Sequence, residues 1–288
     1  MTHVQPQGNL PNIPTPHAPR PSDLSALFDR LWQRRELLVQ LTWREMSAGH
    51  TGHRLGLLWL VIHPFVLVCI YLFVFGFVFG GQLKAADQFP GNYPSYLLIG
   101  LVPWLAMQAA IIRSTTALIS NANLVKQVVF PIEVLPIASA LAASLPYIPA
   151  FVLVLLYRAL NVGGFDWALV LLPVVMLLHL VIAVGLGFAL SAVTTFLRDL
   201  KEVISVLCTI AMSLSPAVYL PDWAPAPLRP LIYVNPFSYL TWVYQDVLFF
   251  GQVAHPWAWV ITAALAAISL SVGYRLFARL KPYYGNVL

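Results

Sequence analysis

Six stretches of this chain contain no Asp, Glu, Lys or Arg: residues 55–83, 88–112, 134–157, 167–197, 203–221 and 247–274. Each approaches or exceeds the roughly 20 apolar residues that an α-helix needs to cross the hydrocarbon of a bilayer. A water-soluble fold would need far more charge to cover its surface. Only 9% of the residues are charged, against about 25% in ordinary soluble domains, and 59% are hydrophobic. The expected fold class is therefore all-α integral membrane, with six transmembrane helices over residues 55–281.

The basic residues orient those spans. With the N-terminus inside, the inner segments hold Arg20, Arg30, Arg34, Arg35, Arg44, Arg54, Lys126, Arg198, Lys201, Arg275, Arg279 and Lys281. The outer segments hold Lys84, Arg158 and Arg229. Arg113 falls near the inner end of the second span, where a long side chain can snorkel to the interface. This asymmetry places both termini in the cytoplasm. Residues 1–22 hold six prolines and no apolar block, which reads as a disordered cytoplasmic tail rather than a secretory signal.

Two segments depart from the simple span pattern. Read as a helix within 23–48, residues 24–46 place Leu24, Leu27, Phe28, Leu31, Trp32, Leu38, Val39, Trp43 and Met46 on one face, with Leu37 and Leu41 off it. Asp29, Gln33, Glu36, Gln40 and Arg44 gather opposite. A basic amphipathic helix of this kind suits the inner membrane surface, with a turn around Gly49 to Gly52 before the chain enters the bilayer. The second segment, 221–252, has five prolines and many aromatics and is broken by Asp222, Arg229 and Asp246. Unpaired backbone groups in hydrocarbon are costly, so short helices on or re-entrant from the outer surface fit it better than a continuous span.

What the sequence lacks narrows its chemistry. There is no H-E-x-x-H, paired-cysteine cluster or G-x-S-x-G elbow. Cys69 and Cys208 lie inside apolar runs without metal-ligand spacing. His179 stands deep in the fourth span with no acid near it in sequence, as a packing or cavity-facing residue, and His63 precedes Pro64, where it can bond a carbonyl freed by the kink. No Asp or Glu falls inside a span, which argues against proton coupling. No P-loop is present, so energy for uphill transport has to come from another subunit.

Several blocks then show a resemblance. RLGLLWLVIHPFVLVCIYLFVFGFVFG resembles the first span of the permease subunits of ABC polysaccharide exporters, the family of the O-antigen, teichoic acid and group 2 capsule exporters. YPSYLLIGLVPWLAMQAAIIRSTTALISNANLVKQVVFPIEVLPIASAL is similar to their second span, cytoplasmic loop and third span. TTFLRDLKEVISVLCTIAMSLSPAVYLP and VNPFSYLTWVYQDVLF are similar to the fifth span and the stretch before the sixth. The resemblance covers about residues 31–281. The chain departs from the pattern at His63-Pro64, where relatives often carry Asn-Pro or Gln-Pro, and at Ile132, where a basic residue often stands.

The resemblance implies a transport subunit that is not itself an enzyme. It would form a homodimer with two ABC ATPase subunits, bind no cofactor of its own, and leave ATP and Mg to the partner. The amphipathic N-terminal helix would be an interface helix. Loop 121–135 would contain a coupling helix, with Asn123, Lys126, Phe130, Pro131 and Glu133 making or positioning the contact, and Arg198 and Asp199 on the second inner loop. Asn235, Pro236 and Tyr239 would shape the external gate within 221–252.

The cargo implied is a lipid-linked polysaccharide, with further partners in the periplasm or outer membrane able to continue the route. No nucleic acid is involved. Aromatic rings stack on the C–H faces of sugars, which makes Trp59, Tyr71, Phe75, Trp104 and Tyr219 candidates for a translocation path. Helical spacing puts Pro64, Tyr71, Phe75 and Phe79 on one face and Trp59, His63, Phe73 and Phe77 on another, and either could face it. Arg34, Arg35 and Arg44 could attract a lipid phosphate at the inner leaflet. The competing readings are a small-molecule exporter, a membrane-embedded glycan polymerase or acyltransferase, and a passive channel.

Overall fold

Among the described residues five helices are long and apolar enough to cross a membrane: Gly56–Val74, Tyr93–Thr115, Val134–Leu160, Trp167–Thr194 and Pro256–Val287. They belong to a computed structural model that describes residues 24–48, 54–78, 93–126, 130–161 and 166–288. Among the described residues every regular element is a helix. The expected tail 1–22 and the turn at Gly49 to Gly52 lie outside them.

The N-terminal segment forms α1 (Leu24–Gln33) and α2 (Arg35–Ala48), separated by a break at Arg34. It carries two apolar stripes rather than the single face expected. Leu27 and Leu41 are buried, with Leu31, Leu37 and Leu38 packed beside them. Phe28, Trp32, Val39 and Trp43 are all more than half exposed. Leu37 and Leu41, off the face in the helical projection, thus belong to the stripe that grips the bundle. The aromatic stripe next to it stays exposed.

The first span contains α3 (Trp59–Tyr71), interrupted by Pro64, and continues through a wider π-helical turn over Leu72–Val78. Pro64 is buried. The His63 ring beside it is exposed and has no hydrogen bond among the described residues, so the expected bond to a freed carbonyl is not made.

The second span is α4 (Tyr93–Thr115), and it runs through the middle of the molecule. Its apolar window is 83% buried, against 11% for the first span, so the first span is peripheral. The third span is built from α5 (Val134–Ser144) and α6 (Ile148–Asn161), joined through a short turn at Leu145–Tyr147. The fourth contains α7 (Leu172–Thr194). α4 packs against α5, α6 and α7, and α2 lies along α5.

The fifth charge-free stretch, expected as a span, holds a shorter helix. Its helix, α8, covers only Leu200–Ser213. At 1.5 Å per residue it is about 21 Å long, short of the roughly 30 Å hydrocarbon core. Pro216 cannot continue the hydrogen-bond ladder, and the chain leaves the helix to run along α4. There Tyr96 Oη donates to Pro216 O at 2.9 Å, and Tyr93 Oη donates to Val218 O at 2.7 Å. Gly100 permits this approach, because a Cβ there would lie 2.6 Å from the Cα of Ala217.

Two short helices follow, α9 (Arg229–Val234) and α10 (Pro236–Gln245), the latter extended by a π-helical turn over Asp246–Phe250. The last long helix, α11 (Pro256–Leu280), begins at Pro256 rather than near Val247, so residues 247–250 belong to the segment before it. α7 and α11 cross with their backbones in contact. A Cβ on Gly273 would sit 2.0 Å from Gly185 O, so only glycine lets the two backbones touch.

Candidate transport and gating sites

Two clusters of polar side chains occupy opposite ends of the bundle. The first lies beside α2. Glu45 accepts from Asn121 Nδ2 at 2.9 Å and from Arg113 Nε at 3.4 Å, and Arg113 also reaches the Glu45 backbone carbonyl. Arg44 bonds Asn121 Oδ1. These residues border an open cavity of about 770 Å³, completed by Ser120, Asn123 and Leu124. The Glu45 carboxylate takes bonds from an amide and one guanidinium, with the Arg44 guanidinium 3.9 Å away, and these contacts tie α2 to the end of α4.

A second carboxylate ties the same end together. Glu133 receives Lys281 Nζ at 2.6 Å and stands 3.6 Å from Arg30. Its side chain is 9% exposed. Thus α1, the start of α5 and the end of α11 converge on one acidic group. Sequence reasoning placed Glu133 at this loop; Glu45, Arg113, Asn121, Arg30 and Lys281 were not singled out as a site. The signal for them was weak, since their partners lie 68 or more positions away.

The other residues expected in the coupling loop divide by exposure. Asn123 and Lys126 are exposed, while Phe130 and Pro131 are half-buried. Residues 127–129 lie outside the described residues. Arg198 and Asp199 are exposed at the start of α8, and no ion pair joins them to the loop among the described residues. Arg34 and Arg35 are exposed, with the Arg35 guanidinium 5.4 Å from the Trp32 ring centre. Arg44, by contrast, is already bonded to Asn121.

At the opposite end, Asn235 is the pivot of the broken segment. Its Oδ1 accepts from Phe237 N at 3.1 Å, capping α10. Its Nδ2 donates to Ala211 O at 2.8 Å and Leu214 O at 3.2 Å, satisfying carbonyls at the end of α8. One amide therefore serves the orphan donors of one helix and the orphan acceptors of another. Pro236, exposed, occupies the first turn of α10, where its missing N–H costs nothing. Tyr239 Oη donates to Tyr233 O and its ring meets Trp242 and Trp257 edge-on.

Asp246, fully buried, closes the upper end of α10. It accepts from His255 N at 3.0 Å, from Trp259 Nε1 at 3.0 Å, and pairs with His255 Nδ1 at 2.7 Å. Buried Arg158 donates to Leu248 O at 2.8 Å and pairs with Asp166. Neither group was assigned a role from sequence, although a lone Asp between two apolar stretches is itself a sign of a required partner.

The expected path residues are dispersed. Trp59 is exposed on the first span and Tyr71 half-buried; the Phe75 side chain lies outside what the structure describes. Trp104 is 2% exposed and packs edge-on against Phe237 at 5.0 Å, within the single chain. Tyr219 Oη donates to Ser213 O at 2.6 Å, bridging the end of α8.

Comparison with known proteins gives this geometry its context. The family described as ABC-2 type transporter matches residues 36–249, from α2 to the end of the broken segment. The chain belongs to the ABC-2 transporter membrane family. It is 26% identical to the O-antigen export system permease protein RfbA of Myxococcus xanthus, over 87% of this chain and 95% of that protein. A Klebsiella pneumoniae O-antigen export permease is 24% identical over 92% and 97% of the two chains. The polysialic acid transport protein KpsM of Escherichia coli is 22% identical over 81% and 89%. As an ABC-2 protein with several bilayer-length helices, the chain is a multi-pass membrane protein.

Proposed function

We propose that this ABC-2 chain is the permease half of an ATP-driven exporter that carries a lipid-linked polysaccharide across the cytoplasmic membrane. The observation that carries this reading is the nearly full-length similarity to O-antigen export permeases. Two copies pair, two ATPase subunits dock beside loop 121–135, and both termini face the cytoplasm, as the basic residues predict. ATP and Mg belong to the partner. The polysaccharide passes at the junction of two copies, because one copy leaves its first span mostly uncovered and buries Trp104.

In this reading the Glu45 and Glu133 clusters make the interface helix, the coupling loop and the last span move as a unit when the ATPase moves. Exposed Asn123 and Lys126 contact the ATPase, with Arg198 and Asp199 flanking them. Arg34 and Arg35 are free to attract the diphosphate or phosphate of the lipid anchor. Asn235, Pro236 and Tyr239 hold the outer gate.

The test is reconstitution of the chain with its ATPase in vesicles, followed by addition of purified lipid-linked glycan. Glycan-stimulated ATP turnover and movement of glycan across the bilayer are expected, both lost in Lys126→Glu with assembly intact. Transport that proceeds with no nucleotide would overturn the proposal in favour of a passive channel.

A further inference from the structure

We propose that Tyr284 is a positioning residue for coupled transport. It links the second inner loop to the first through a buried row of aromatic rings, so that an ATPase seated on both loops moves them together. The inference rests on the ATP-driven reading above and names how its two docking loops are joined.

The residues after the last span fold back on it. Pro282 lacks the N–H that would continue the ladder of α11. The chain tightens over Lys281–Tyr283 and enters a short helical turn, Tyr284–Val287. Tyr284 is fully buried. Its Oη donates to Phe277 O at 3.0 Å, in the last turn of α11. The hydroxyl thereby holds the segment against the helix, and the ring is left to pack.

That ring has neighbours on two sides. On one it meets Phe277 at 5.4 Å, and Phe277 meets Phe188 of α7 at 5.1 Å. All three belong to the buried cluster that holds Leu118, Ile132 and Val134. Ile132 and Val134 flank Glu133, so the cluster reaches the first inner loop. On the other side Tyr284 meets Phe196 at 6.2 Å. Phe196 is 45% exposed and stands two positions before Arg198. It meets no other ring among the described residues.

Nothing polar does this job. Among the described residues, no ion pair or hydrogen bond joins residues 195–199 to residues 121–135. Packing has to connect them. Close-packed side chains compress very little and pass a displacement on to their neighbours. A ring removed from the row forfeits its contacts and leaves space that absorbs the motion.

The experiment uses the chain with its ATPase in vesicles, and reads the glycan moved per ATP hydrolysed. Phe196→Ala, at a half-exposed position, should lower that ratio at least about threefold, within the range by which residues along a coupling route act. Tyr284→Ala should lower it similarly, and the double variant should be no worse than either single change, because both break one link. Tyr284→Phe keeps the ring and should keep the ratio. Exposed Tyr283→Ala is the control and should leave both rates unchanged. Glycan transport and ATP turnover falling in parallel, at an unchanged ratio, would show a merely structural role and overturn the proposal. So would wild-type coupling in Phe196→Ala, which decides the matter if Tyr284→Ala fails to assemble. An unaltered complex that moves glycan without nucleotide overturns the exporter reading itself, and this inference with it.

Discussion

Glu133 and Lys281 stand 148 positions apart and meet at 2.6 Å. The first precedes α5 and the second follows α11, so this contact brings the middle of the chain to its last long helix. Arg30 joins them from α1.

Removing the carboxylate with Glu133→Ala leaves two cations facing an empty site. Both are about 40% exposed and water recovers part of their solvation, so the expected loss is about 1–2 kcal/mol. Thermal unfolding in detergent measures it. A Glu133→Lys, Lys281→Glu double variant should recover part of what either single change loses; no recovery would show that the contact adds nothing to stability.

Asn235→Ala removes the α10 cap and two bonds to the end of α8 at once. About 2–3 kcal/mol of destabilisation is expected. Asn235→Asp keeps the cap acceptor but sets a carboxylate against Ala211 O and Leu214 O, so it should not restore the wild-type melting temperature. Recovery by Asp would mean that the cap alone matters.

Gly273→Leu should prevent α7 and α11 from approaching, because even a Cβ meets the Gly185 backbone. The predicted result is aggregation or loss of the monodisperse peak in size-exclusion chromatography. Gly285→Ala is the control: nothing lies within 4 Å of a Cβ there, and its profile should be unchanged.

Asp246→Asn replaces an acceptor of several bonds by a group whose amide hydrogens point toward other donors. The top of α10 should loosen from the start of α11, seen as faster limited proteolysis between residues 246 and 256. Proteolysis at the wild-type rate would remove Asp246 from the role given to it.

The spans were legible because charge is expensive in hydrocarbon, and its absence marks them directly. The fifth stretch holds a helix shorter than expected, for a local reason. Charge-free sequence continues to residue 221, but Pro216 ends the ladder and the following residues are held by Tyr93, Tyr96 and Gln245, a tertiary event with no periodic signature. The single apolar face expected for α1 and α2 also proved incomplete, since a helical projection cannot distinguish a stripe that meets protein from one that meets lipid. Among the site residues, Asn235 carried its signal in the Asn-Pro pair, a cap followed by a first-turn proline. Glu45 carried none, because its partners are distant in the chain.

With Leu27 and Leu41 seated against the bundle, and Phe28, Trp32 and Trp43 turned outward, α1 and α2 cannot roll about their own axis without withdrawing one row or the other. They can slide or tilt but not spin. A pull applied at Glu45 or Asn121 therefore shifts α2 against α5 as a piece rather than turning it in place.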